Sequence, residues 1–120
     1  MQTSNEMRIF VKTYDFILWA SNHTAKFPKS ARFSFAVRIE NKLLDFLDLI
    51  LLANRMKDKR EKLACADALI EQSRILFRMS KDMKFISLNS YEYAAKELSE
   101  IGRYLGAWIK QQKTLWENKK

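Results

Sequence analysis

"SYEYAAKELSEIGRYLGAWIKQQ", residues 90–112, carries both glycines of a 120-residue chain and still reads as unbroken helix. Tyr91, Ala94, Ala95, Leu98, Ile101, Leu105, Trp108 and Ile109 recur at three- and four-residue intervals, which lays an apolar face along one helix. A glycine inside a helix costs about 1 kcal/mol relative to alanine. On a helical wheel Gly102 falls within about 20° of the Tyr91–Leu98–Ile109 line, and Gly106 falls at its edge. Both positions point to close packing. The missing side chains leave room for a neighbouring backbone or a large ring, with Tyr14, Phe46 and Phe77 as candidates to fill it.

Outward from this helix, the rest of the chain repeats the pattern. Two glycines and one proline leave little for hairpins, and no Asn-Gly or Asp-Gly pair occurs, so the composition is all-α. The spacing predicts helices over about 5–25, 30–56, 59–83 and 88–116. In the first, Met7, Phe10, Val11, Tyr14, Leu18 and Ser21 are expected to face the core. "KFPKSARF" (26–33) ends it, because Pro28 disfavours helical geometry at Phe27 while Ser30 can cap a new start. The second helix is expected to bury Ala36, Ile39, Leu43, Phe46, Leu47 and Ile50, and the third Ala66, Leu69, Ile70, Ser73, Leu76, Phe77 and Ser80. "KDKRE" (57–61) and "KFISLNS" supply the other two breaks. Short connections between long helices predict an up-down-up-down four-helix bundle, one domain over residues 1–120.

The apolar residues exceed what one bundle core needs. Phe33, Val37, Leu44 and Leu51 form a second stripe on the second helix, and Phe16 and Trp19 lie off the expected core line of the first, beside Ile9. A heptad of uncovered hydrophobics with no long loop to cover it points to self-association or a protein partner. These six residues are therefore the candidate interface.

Charge points to a different partner. Twenty-two Lys and Arg against 14 Asp and Glu give a net charge of +8, a balance that favours a polyanion such as RNA or DNA. Arg74, Arg78 and Lys81 share a face of the third helix, with Arg60 in line. Lys96, Arg103 and Lys110 repeat every seven residues on the fourth, and Lys26, Lys29 and Arg32 crowd the first break. The nine other than Arg60 are candidate phosphate contacts, although Asp67, Glu71, Glu92 and Glu100 are interspersed among them.

No motif calls for catalysis, a metal or another cofactor. Cys65 is the single cysteine and His23 the single histidine, without a partner at ligand spacing. His23 falls at the end of the first helix, where a capping role is expected. There is no phosphate-binding glycine loop, nucleophile elbow or His-Glu-x-x-His. The opening "MQTSNEMRIFVK" lacks an apolar leader and cations interrupt every candidate span. The expectation is a soluble, cytoplasmic protein that is not an enzyme and does not engage a membrane.

Two stretches carry more than composition. "KTYDFILWASNHTAKFPKSARFSFAVRIENKLLDFLDLILLA" (12–53) and "RMSKDMKFISLNSYEYAAKELSEIGRYLGAWIK" (78–110) resemble the accessory variability determinant (Avd) proteins of diversity-generating retroelements. "FPKSARF", "RIENKLLD", "YEYAAKELSEIGR" and "GAWIK" are the most specific parts. The wider superfamily includes four-helix proteins encoded in 23S rRNA intervening sequences, which share the "FPK" break. Those follow it with a Ser-Asn-Ile-Ala-Glu-Gly type stretch where this chain has "DLILLANRM" (48–56). The resemblance implies a basic homopentamer of four-helix bundles that binds the element's reverse transcriptase and nucleic acid. It would support mutagenic cDNA synthesis and retrohoming without performing chemistry itself. An rRNA- or ribosome-associated bundle and a protein-only oligomeric adaptor are the alternatives.

Overall fold

A computed structural model describes residues 4–118, all in helices and short connections. We label the helices α1 (Ser4–Thr24), α2, α3 (Arg60–Asp82) and α4 (Leu88–Asn118). Helix α2 begins as one α-helical turn, Lys29–Ala31, passes through a π turn, Arg32–Ala36, and continues as α-helix over Val37–Arg55. Each helix packs on two neighbours in a ring, α1 on α2 and α4, and α3 on α2 and α4. The short connections make successive helices antiparallel.

The connections explain how so few glycines suffice. At the first, Pro28 (φ −54°, ψ 150°) stands at the N-cap of α2, so Ser30 lies inside the first turn instead of capping it. Proline serves there because its fixed φ and absent N–H suit a helix start. At the second, the Lys59 ammonium donates to the carbonyls of Ala53 (2.8 Å) and Met56. The Ala53 carbonyl also accepts from the Met56 N–H at 3.1 Å, so both groups close the end of α2. Asp58 accepts from the Arg60 backbone N–H at 3.2 Å. Arg60 also grips the Asp58 side chain and holds that carboxyl below its ordinary range. At the third, Lys84 takes the left-handed conformation that usually falls to glycine (φ 64°). Phe85 N–H then reaches the Ser80 carbonyl at 2.8 Å and Lys84 N–H the Lys81 carbonyl at 2.9 Å, closing α3 with a Schellman motif. Ser87 Oγ accepts from Ser90 N–H at 3.1 Å and caps α4.

The π turn has a packing consequence. Ala31 and Ala36 are both buried, yet residues five apart lie about 140° apart on an α-helix. The wider turn stacks them on one side, and α2 continues with Ile39, Leu43, Phe46, Ile50 and Ala53 inside. Helix α3 buries Leu63, Ala66, Ile70, Ser73, Leu76, Phe77 and Ser80. Helix α4 buries Ala94, Leu98, Ile101, Leu105, Trp108 and Gln112 at alternating four- and three-residue steps.

Helix α1 is turned the other way from the sequence expectation. Its inner stripe is Ile9, Thr13, Phe16, Ala20 and Thr24, all at most 1% exposed. Met7, Val11, Tyr14 and Leu18, expected inside, are about half exposed, and Ser21 also faces solvent. Phe16 and Trp19 therefore leave the candidate interface. Phe16 packs on Phe77 with tilted rings (5.7 Å between centroids), and Trp19 sits between Phe16, His23 and Tyr93. Small Thr13 and Ala20 let α1 approach its neighbours closely. Lys12 fixes the rotation from the α4 side, forming ion pairs with Glu97 (3.4 Å) and Glu100.

Candidate nucleic-acid interface

Gly102 is the entry to the site. A Cβ built there would stand 2.9 Å from Nη2 of Arg74, so the space is filled by a guanidinium and not by an aromatic ring. Nothing lies within 4 Å of the corresponding position at Gly106, which is exposed. Arg74 reaches from α3 across α4, with Nη1 donating to Ser99 Oγ at 3.1 Å and Nη2 to the Leu98 carbonyl at 3.4 Å. Its Nε lies 3.4 Å from the Glu71 carboxylate one turn back. Arg74 thus ties two helices together as well as carrying charge.

Around it is a groove of 230 Å³ between α3 and α4, which Arg78, Ile75, Phe77 and Tyr91 help to line. Arg78 is exposed. The Lys81 ammonium lies 4.8 Å from the Tyr91 ring centre, a cation–π contact, and pairs with Asp82 at 3.3 Å. Arg74 and Arg78 therefore line one groove, and Lys81 reaches it only through the Tyr91 ring. Lys96, Arg103 and Lys110 are exposed along the outer surface of α4 beside it. Lys26, Lys29 and Arg32 are exposed too, but at the end of the bundle, where Phe27 packs on Phe85 (5.6 Å). Of the interspersed acids, Glu100 turns away toward α1. Its hydrogen bond with Lys12 holds the Glu100 carboxyl below its usual range and raises Lys12 above its own. The pair therefore stabilises the fold between the two groups' ordinary pKa values. That contribution fades as pH falls through the lowered Glu100 pKa, or rises through the raised Lys12 pKa.

The opposite side exposes two apolar stripes. Met7, Val11, Tyr14 and Leu18 lie within about 60° of one another on α1, about 160° from its inner stripe. On α2 Phe33 (82% exposed), Val37, Leu44 and Leu51 stand out as their spacing predicts. Half-buried Phe10 meets Leu51 at a small cleft between α1 and α2, joining the two stripes into one apolar face. The outer stripe of α1 was missed because both faces of that helix are apolar at helical spacing. The available signal was Lys12, whose partners on α4 determine which face turns inward.

His23 stacks on Trp19 at 3.9 Å, and its Nδ1–H donates to the Trp19 carbonyl at 2.9 Å, a bond at the C-terminus of α1. Among the described residues no group of three or more His, Cys, Asp or Glu is placed to hold a metal ion. No described helix is long and apolar enough to cross a membrane. The family model described as bAvd-like matches residues 7–112. No curated protein matches the chain.

Proposed function

The chain belongs to the bAvd-like family, and from that premise we propose that it is a non-catalytic accessory protein of a diversity-generating retroelement. In this reading it is a homo-oligomeric scaffold, a pentamer by analogy with the family, that holds the element's reverse transcriptase together with template RNA. It supports mutagenic cDNA synthesis and retrohoming in the cytoplasm. The observation that carries the reading is the division of the surface. Arg74 and Arg78 line a groove on the α3/α4 side, where they can contact phosphates, while the α1/α2 side offers uncovered hydrophobics that suit another protein surface. A scaffold that joins protein and nucleic acid needs both, on sides that do not compete.

The test is co-expression of the tagged chain with the reverse transcriptase of the same element. Capture of a stoichiometric complex containing the template RNA is the expected result. Capture of neither polymerase nor RNA overturns the reading.

A further inference from the structure

Arg74 is a cation fixed across two helices by hydrogen bonds to neutral groups. Its two hydrogen bonds go to a serine hydroxyl and a backbone carbonyl, and its Nε is buried without a hydrogen-bond partner. The facing Glu71 carboxylate is an ion-pair contact at 3.4 Å, on a side chain 68% exposed and free to swing into water. The charge is therefore held in place but only loosely neutralised. Gly102 maintains that placement, since a Cβ would crowd Nη2. Arg78 adds a second guanidinium, and the Phe77 and Tyr91 rings displace water from the groove floor. A charge beside apolar walls attracts an anion more strongly than the same charge in open solvent.

Resting on the nucleic-acid reading above, we infer that the α3/α4 groove is a phosphodiester clamp for single-stranded nucleic acid. One backbone phosphate enters between Arg74 and Arg78, displaces Glu71 from Nε, and leaves its sugar against Tyr91. The groove's 230 Å³ is below the roughly 300–1,000 Å³ of pockets that enclose a whole small ligand. It suits one backbone unit of a longer strand. Guanidinium geometry matters in such a clamp, because the planar fork presents paired donors to phosphate oxygens where an ammonium presents a point charge.

The test is fluorescence anisotropy at fixed salt with a labelled single-stranded oligoribonucleotide and the same sequence as DNA. Charge is conserved in the key variants. Arg74→Lys and Arg78→Lys should each weaken binding of both polymers about tenfold, while Arg8→Lys, at an exposed position on α1, stays within about twofold. Glu71→Gln should tighten binding about threefold by removing the competitor for Arg74. Gly102→Ala, which displaces only the flexible end of Arg74, should weaken binding with unchanged helicity. Should Arg74→Lys loosen the helix seam, exposed Arg78 supplies the same test without a folding role. Steep salt dependence with all lysine variants binding like the parent overturns the clamp and leaves a diffuse basic surface. No binding of either oligomer by the parent overturns the nucleic-acid reading itself. An effect on RNA alone moves the contact to the sugar and overturns the phosphate assignment.

Discussion

The α1/α2 side and the α3/α4 side of this bundle are built on the same helical spacing and differ in their most prominent features. On the first, Met7, Val11, Tyr14, Leu18, Leu44 and Leu51 leave about half of each side chain in water. On the second, Arg74 is pinned across α4 and Arg78 lines the same groove as Phe77 and Tyr91. Burial of the apolar side against another surface is driven by water release and is nearly independent of salt. Attraction to the basic side weakens as salt screens it. The contrast shows that one small fold can present two binding surfaces whose responses to solvent are separable.

The largest expected effect tests which stripe of α1 lies inside. Phe16→Ala should destabilise the fold by about 3–5 kcal/mol through a core cavity. Leu18→Ala should change it by no more than about 0.5 kcal/mol per monomer. Denaturant titration of both variants checks this, and the reverse order would put the outer stripe back inside.

A smaller folding effect is expected on the apolar face itself. Leu44→Glu should shift assembly toward the 14.2 kDa monomer, because a carboxylate cannot be buried unpaired between subunits. Helicity and melting of the monomer should stay close to the parent's. Light scattering and circular dichroism on the same sample separate these outcomes. An unchanged mass would remove Leu44 from the assembly surface.

The smallest effect contrasts the two glycines. Gly106→Ala enters open space and should stabilise the bundle by about 0.5–1 kcal/mol, the ordinary helix preference for alanine. A loss on thermal melting would mean that Gly106 is covered by something outside the single chain.

Much of this was legible in the residues. Three of the four buried faces followed from spacing, because α2, α3 and α4 each have one stripe richer in large hydrophobics than the rest. Helix α1 defeated that logic. Its inner stripe holds Thr13, Ala20 and Thr24, which look weaker than Met7, Val11 and Leu18 until the packing distance to the other helices is known. The Lys12 pairs and the Trp19–Tyr93 contact select the face, and both depend on residues about 75 or more positions away. On the basic side, seven-residue spacing placed Lys96, Arg103 and Lys110, and the three- and four-residue steps placed Arg74, Arg78 and Lys81. Spacing could not show that Gly102 makes room for Arg74, since a wheel orders one helix and says nothing about a side chain arriving from another. The π turn was equally hidden. Its only trace is Ala31 and Ala36, two small residues five apart.

Independence of the two faces is the central claim, and size-exclusion chromatography with light scattering in the presence of fluorescent RNA tests it most directly. As salt is raised stepwise, the account expects RNA to leave the protein peak while the protein mass stays at the same multiple of 14.2 kDa. A mass that falls to the monomer together with the RNA, or a monomer at every salt concentration, would contradict it.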